Sequence, residues 1–169
     1  MRLSKHPKLI TNNVIEKLAK EFGIDVDVIK TILSTYCTKI GIHKDETFRV
    51  FYPQWFFNQT GNLVQTFSEA EKIDSRRAMF CTAWGIGGIM GFDYSKAGYN
   101  DVTTMMIMFN DSEVEQLVGL LNVIKSRKRL YRAIVEKNWA NISYNYNGIG
   151  YSNINAAQEL FNNHKLITS

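Results

Sequence analysis

Cysteine and histidine are scarce in these 169 residues: two cysteines, Cys37 and Cys81, and three histidines, His6, His43 and His164. Two thiols make neither a disulfide framework nor a zinc cluster, and the apolar neighbours of each suit buried free thiols. The histidines are too dispersed, with no cysteine or carboxylate spacing around them, to suggest a metal site. No cofactor or metal is therefore expected. No run approaches the roughly 20 apolar residues that cross a bilayer, so no membrane span is expected. Met1 to Lys8 carries Arg2, Lys5 and Lys8 without the apolar segment of a signal peptide. Synthesis in the cytoplasm is the matching expectation. Internal repeats and flexible linkers are also missing, so the chain reads as one domain.

What remains is enough to build a core. Hydrophobic residues make up 45% of the chain and charged residues 21%, and a chain of this size buries roughly two thirds of its unfolded surface. The net charge of +4 and pI near 9.0 imply mild attraction to polyanions such as nucleic acids, anionic lipids and acidic wall polymers. That balance is too small to choose among them.

Apolar spacing predicts mostly helix. Asn12 or Asn13 can cap a helix carrying Val14, Ile15, Leu18 and Ala19, stopped by Gly23. Asp25 can cap a second, from Val28 to Ile40, with Ile29, Ile32, Leu33 and Tyr36 on one face. Phe48 to Tyr52 alternates as a strand or extended arm does, Pro53 ends it, and Trp55, Phe56 and Phe57 enter a short helix closed by Gly61. Ser68 and Glu71 have capping-box spacing for a helical segment reaching Phe80. Four glycines among residues 85–91 argue against a long helix there and imply close backbone approach or a ligand groove. Further helices are expected over Val102 to Phe109, over Glu113 to Val123 capped by Asp111 or Ser112, from Ser126 to Trp139, and near Asn155 to Phe161. Lys125, Arg127, Lys128, Arg129, Arg132 and Lys137 form the strongest basic run, and such runs are most often solvated helix faces.

Two stretches mix flat aromatic rings with amides: Trp84-Gly85, and Tyr144 to Tyr151. Ring C–H faces of sugars stack on indole or phenol while amides pair with hydroxyl and acetamido groups. The same mixture serves single-stranded nucleic acid, and Asn147-Gly148 is also an ordinary turn signal.

One block is more specific. Ala83-Trp84-Gly85-Ile86-Gly87-Gly88-Ile89-Met90-Gly91-Phe92 resembles the Ser-Trp-Gly-Leu-Phe-Gln-Ile-Met-Gly block of phage and prophage N-acetylmuramidases, endolysin domains with a lysozyme-like fold. Ala97-Gly98-Tyr99, Val102, Met106, Met108, Glu113 and Gln116-Leu117 are similar to the segment that follows it. Trp139 and Tyr146-Asn147-Gly148 with Tyr151 resemble the closing signature, and the Val28 to Leu33 stripe resembles the opening helices. The resemblance implies a mostly α, α+β lysozyme-like single domain with a short extended or β segment near residues 47–52. Its expected extent is 12–163, after a basic extension 1–11 and before a tail 164–169.

The family's proton donor is a glutamate in a Val-Glu-Ser-Ser-Gly-like stretch at the end of the second helix. Counted back from Phe51, that position falls on Thr35, with Tyr36 beside it. Threonine offers no acid near neutrality, and a tyrosine near pKa 10 is a poor one. The second carboxylate and the histidine of the family's Phe-Glu-Arg-His-like stretch fall on Tyr52 and Gln54, and the glutamine of the glycine-rich block falls on Gly88. Cleavage could be rescued only by a relocated carboxylate. Glu46, between the two acid positions, is the strongest substitute; Glu69, Glu71, Asp74 and Asp93 are weaker, because capping and turn roles account for them.

The resemblance thus implies a degenerate muramidase domain that binds peptidoglycan or another envelope polymer, or serves a phage-associated assembly structurally. Trp84, Tyr146 and Tyr151 would hold the sugar chain, with Asn147 among the polar contacts. The alternative is an active N-acetylmuramidase using Glu46. Nucleic-acid binding through the 125–137 run ranks third. Delivery to an envelope would depend on other factors.

Overall fold

The computed structural model describes residues 6–37, 47, 49–146 and 155–169. Residues 7–10 run along the surface of the helical body. The Pro7 carbonyl accepts from Ser112 Oγ at 2.6 Å and the Lys8 carbonyl from the Glu113 amide at 2.9 Å.

Helix α1 (Asn12–Phe22) is capped by Thr11, one residue before the expected asparagines, because Thr11 has the extended backbone that lets its hydroxyl accept from the Val14 amide. Gly23, in the left-handed region at φ 65°, ends it as expected. Helix α2 (Val26–Ile32) follows, and its last turn widens into a π-turn over Leu33–Cys37. The expected continuation to Ile40 lies outside the described residues. Asp25 precedes α2 without a side-chain cap; its carboxylate pairs with Lys137 at 2.7 Å instead.

Strand β1 (Arg49–Phe51) leads into α3 (Pro53–Thr60), where Pro53 takes the first helical position and Gly61, at φ 72°, the last cap. Helix α4 (Phe67–Ile73) opens on a capping box two residues earlier than expected. Thr66 and Glu69 make it, and the buried Phe67 has to stand within the helix. The expected single helix to Phe80 is two, because Asp74 leaves helical geometry and uses its carboxylate to cap α5 (Ser75–Phe80).

Strands β2 (Thr82–Trp84) and β3 (Ile89–Met90) form an antiparallel hairpin, and β2 also pairs with β1 in the order β1-β2-β3. Phe51 stands opposite Thr82, and Trp84 stands opposite both Arg49 and Ile89. The expected extended segment is thus the edge of a three-stranded sheet.

Helix α6 (Val102–Asp111) is capped by Asp101, and α7 (Glu113–Ser126) by Ser112. Helix α7 is the hub: Val114, Leu117, Leu120, Leu121, Val123 and Ile124 are all buried, as befits a helix surrounded by others. Gly119 leaves room for the Phe109 ring, which an added Cβ would meet at 2.8 Å.

The basic segment expected as one helix is broken. Helix α8 (Lys128–Val135) stops where Lys137 turns left-handed at φ 54°, and Asn138 then caps α9 (Trp139–Tyr146) by accepting from the Asn141 amide at 3.1 Å. Helix α10 (Ala156–Thr168) runs through the residues expected as a tail and packs along α2. The result is a predominantly α-helical single domain with a small open sheet. No helix among the described residues is long and apolar enough to cross a membrane.

Candidate functional site

The position where the resemblance places the acid lies in the π-turn that ends α2. Such widened turns recur at functional sites, because they rotate one side chain out of the helical row. Here the turn faces α10. Thr35, 8% exposed, accepts from Asn163 Nδ2 at 2.9 Å. One turn earlier, Thr31 donates to the Asp27 carbonyl at 2.6 Å and meets His164 Nδ1 at 3.3 Å, and the His164 ring tilts over Trp139 at 4.8 Å. Tyr36 stacks face to face on Tyr146, with ring centroids 3.8 Å apart and planes 6° from parallel. Cys37 completes this cluster, and burial pushes its thiol up to about 12.

Tyr146, expected on the wall of a sugar groove, is therefore inside the domain at 1% exposure. Its stacking face is taken by Tyr36, its hydroxyl finds no partner among the described residues, and burial raises its pKa well above the ordinary tyrosine value. Trp84 is buried as well. It is 1% exposed, its Nε1 donates to the Met79 carbonyl at 3.0 Å, and its ring meets the edge of Phe67 at 5.6 Å. Neither ring has a free face for a sugar. Asn147, Tyr151 and Glu46 lie outside the described residues.

The glycine-rich block resolves the choice left open between close packing and a groove. Residues 81–91 are all buried, and the glycines admit neighbouring groups. A Cβ at Gly91 would strike the Met79 carbonyl, and one at Gly87 would lie 2.8 Å from Leu120. Gln116 ties the hairpin to the hub, accepting from the Ile86 amide at 2.9 Å while donating to the Phe109 carbonyl at 2.8 Å. Gly88, at the position of the family glutamine, occupies the hairpin turn at φ 59° and donates to the Gly85 carbonyl at 3.1 Å. That backbone favours glycine over any side chain.

The second acid position is more open. Tyr52 is the residue before α3, with its amide donating to the Cys81 carbonyl at 2.9 Å. Its ring lies 6.0 Å from that of Trp55, and Trp55 stacks on Phe92 at 5.2 Å and 13°. Trp55 is 44% exposed and Phe92 39%. Gln54 donates from Nε2 to Asn58 Oδ1 at 3.0 Å along the same helix. Three rings thus meet at one solvent-facing surface of α3, and the exposed Gln54–Asn58 pair stands on the same helix. Sequence reasoning missed this ladder although a signal was present. Trp55, Phe56 and Phe57 are consecutive, and in a helix consecutive residues point about 100° apart. Only one can enter the core, and Phe56 does.

Of the carboxylates nominated as substitutes, Glu69, Asp74 and Asp93 are committed elsewhere. Glu69 accepts from the Gln65 and Thr66 amides, and these bonds hold its pKa below the ordinary 4.5. Asp74 is held low by the Arg77 amide and guanidinium. Asp93, 4% exposed, pairs with Lys96 at 2.6 Å and Arg127 at 3.4 Å. Glu71 is exposed on α4. Among the described residues no three His, Cys, Asp or Glu side chains gather as metal ligands.

Helices packed around α7, with a three-stranded antiparallel sheet on one side, define an α+β domain of the lysozyme-like class. The N-acetylmuramidase family model matches residues 27–167, and the chain belongs to that family. The crystal structure of the Burkholderia AP3 phage endolysin is similar over 98% of this chain and 74% of that one, with a TM-score of 0.84 at 20% identity. At that identity the likeness is one of fold. No curated protein matches the chain.

Proposed function

We propose that this muramidase-family domain holds a peptidoglycan glycan strand without cleaving it. The observation that carries the reading is the pair of environments at the two family acid positions. Thr35 is bonded to Asn163 against α10, and Tyr52 begins the exposed ladder with Trp55 and Phe92. Glycoside hydrolysis needs a protonated carboxyl at the bond and, as a rule, a second carboxylate about 5–9.5 Å away. Neither position offers one. The exposed rings, with Gln54 and Asn58 on the same helix, offer what sugar binding needs: flat apolar faces for ring C–H groups and amides for hydroxyl and acetamido groups. Placement in an envelope-directed or virion-associated assembly belongs to the same reading.

The test uses peptidoglycan stripped of phosphate-bearing polymers. The protein is expected to sediment with it and to release no reducing ends. Trp55→Ala with Phe92→Ala should abolish sedimentation while leaving the fold intact. Absence of sedimentation by the unaltered protein would leave a structural role alone. Release of reducing ends that Glu46→Gln abolishes would replace this reading with an active muramidase using a relocated acid.

A further inference from the structure

A second surface, at the end of α7 and along α8, gathers cations that no described carboxylate pairs. Lys125 stands in the last turn of α7, over the Phe22 ring at 5.5 Å, and Lys128, Arg129 and Arg132 follow on α8 after the break at Arg127. All four are exposed, and none pairs with a carboxylate among the described residues. Their neighbours in the basic run are occupied, Arg127 by Asp93 and Lys137 by Asp25. The opposite face of α8 is anchored by Leu130, Ala133 and Ile134 in the core. The α8 cations are therefore fixed in space on a packed helix, with concave surface on both flanks. One depression, of about 390 Å³, lies between Lys125, Lys128, Tyr131 and Arg132; the other, of about 310 Å³, lies between Arg129, Arg132, Asn141 and Tyr144. Glu136 borders both.

We propose that this face binds a sugar-phosphate polymer, a glycan whose hexose units carry or are joined by phosphodiesters. Guanidinium forks engage phosphate oxygens in paired, charge-assisted hydrogen bonds. Arg132 stands between the two depressions, where one phosphate between two sugar units would lie. The Tyr144 ring, 78% exposed, and the Asn141 and Asn145 side chains of α9 line the second depression. They supply a stacking face and amides for the hexose. Two features disfavour the other polyanions. Single-stranded nucleic acid uses a series of stacking rings, whereas among the described residues Tyr144 is the one freely exposed ring at these depressions; Tyr131 is pinned by donating to the Phe22 carbonyl at 2.8 Å. A membrane surface would need an apolar wedge beside the cations, and α8 offers only Val135 there, 49% exposed, while Leu130, Ala133 and Ile134 are buried.

The full-length protein would be titrated with phosphomannan, with the same mannan after removal of its phosphodiesters, and with a single-stranded oligonucleotide of matched phosphate content. Binding to phosphomannan should weaken as salt rises. It should be lost with the phosphates and fall at least about tenfold in Arg129→Ala with Arg132→Ala, each replacement removing a charge-assisted bond. Tyr144→Ala should weaken phosphomannan binding while leaving the oligonucleotide, held by charge alone, unaffected. Equal binding to both mannans, tighter binding of the oligonucleotide, or an unchanged affinity in the double arginine variant would each overturn the proposal. These side chains are exposed, and unaltered melting temperatures would verify folding. Sedimentation with stripped peptidoglycan, which depends on Trp55 and Phe92, should be the same in all α8 variants. The two readings therefore fail separately.

Discussion

Trp84 distinguishes a core tryptophan from a sugar-binding one, and Trp84→Phe is the perturbation that separates them. The substitution keeps an aromatic ring but removes the N–H that donates to the buried Met79 carbonyl at 3.0 Å. A buried acceptor deprived of its donor costs about 1–3 kcal/mol. The phenyl ring is also smaller than indole by roughly 40 Å³, and at about 24 cal/mol per Å³ of cavity this adds about 1 kcal/mol. The expected loss is about 3 kcal/mol. Each kcal/mol lowers the melting temperature of a domain this size by about 2–4 °C, so calorimetry should show a fall of about 6–12 °C. Below the new transition, sedimentation with stripped peptidoglycan should equal that of the unaltered protein, because the ring is 1% exposed and its neighbour Phe67 meets it edge-on. A variant with unchanged melting temperature and weakened sedimentation would refute the reasoning, for it would mean that the indole contributes to the ligand and not to the core.

Trp55→Ala with Phe92→Ala should do the converse: because both rings are well exposed, the expected stability change is within about 1 kcal/mol, and sedimentation should be lost. Gly91→Ala should prevent stable folding, measured as loss of a cooperative thermal transition, since its Cβ would enter the Met79 backbone, which no side-chain rotation can relieve. Glu69, Asp74 and Asp101 have folded pKa values below their ordinary 4.5, 3.8 and 3.8. Their contribution to stability is complete above those ordinary values and is lost as pH falls through the lower folded ones. Urea midpoints should therefore drop in that acid window, and less steeply in Glu69→Gln and Asp101→Asn. With its thiol raised to about 12, Cys37 should resist alkylation at pH 8 in the native state and react once urea unfolds the chain.

The helices were legible where one local force decides them. Gly23 and Gly61 end helices because the left-handed turn favours glycine, and Ser112 starts α7 because its hydroxyl reaches two amides. Boundaries went astray where two local signals competed and packing chose between them. Ser68 with Glu71 has the same spacing as Thr66 with Glu69, and only burial of Phe67 selects the latter. Asn138 and the left-handed Lys137 break a basic stretch whose apolar period runs on almost without interruption. The site was less legible for a related reason. Aromatic residues beside glycine look alike whether the glycine admits a ligand or another part of the chain. At Gly87 and Gly91 the occupants are Leu120 and the α5 backbone, and Trp84, just before them, is buried in the core. The exposed ladder spans Trp55 and Phe92, far apart in sequence, and only the packing of the turn after β3 beside α3 joins them.

On the proposed reading, each of the four positions that depart from the family's pattern has a local role of its own. Gly88 suits a hairpin turn with positive φ, where a glutamine side chain would strain the backbone. Gln54 reaches Asn58 along α3, Tyr52 opens the aromatic ladder, and Thr35 takes its bond from a helix that closes over the π-turn. Returning a glutamate to position 35 would displace the Asn163 contact and place a carboxyl in a site that is 8% exposed, where desolvation favours its neutral form. That is the protonation state a general acid requires, but it would face no carboxylate at position 52 and no histidine at 54. Restoring the family's pattern would need changes in α2, α3 and the β2–β3 turn, whereas retention of a sugar strand needs only the exposed rings.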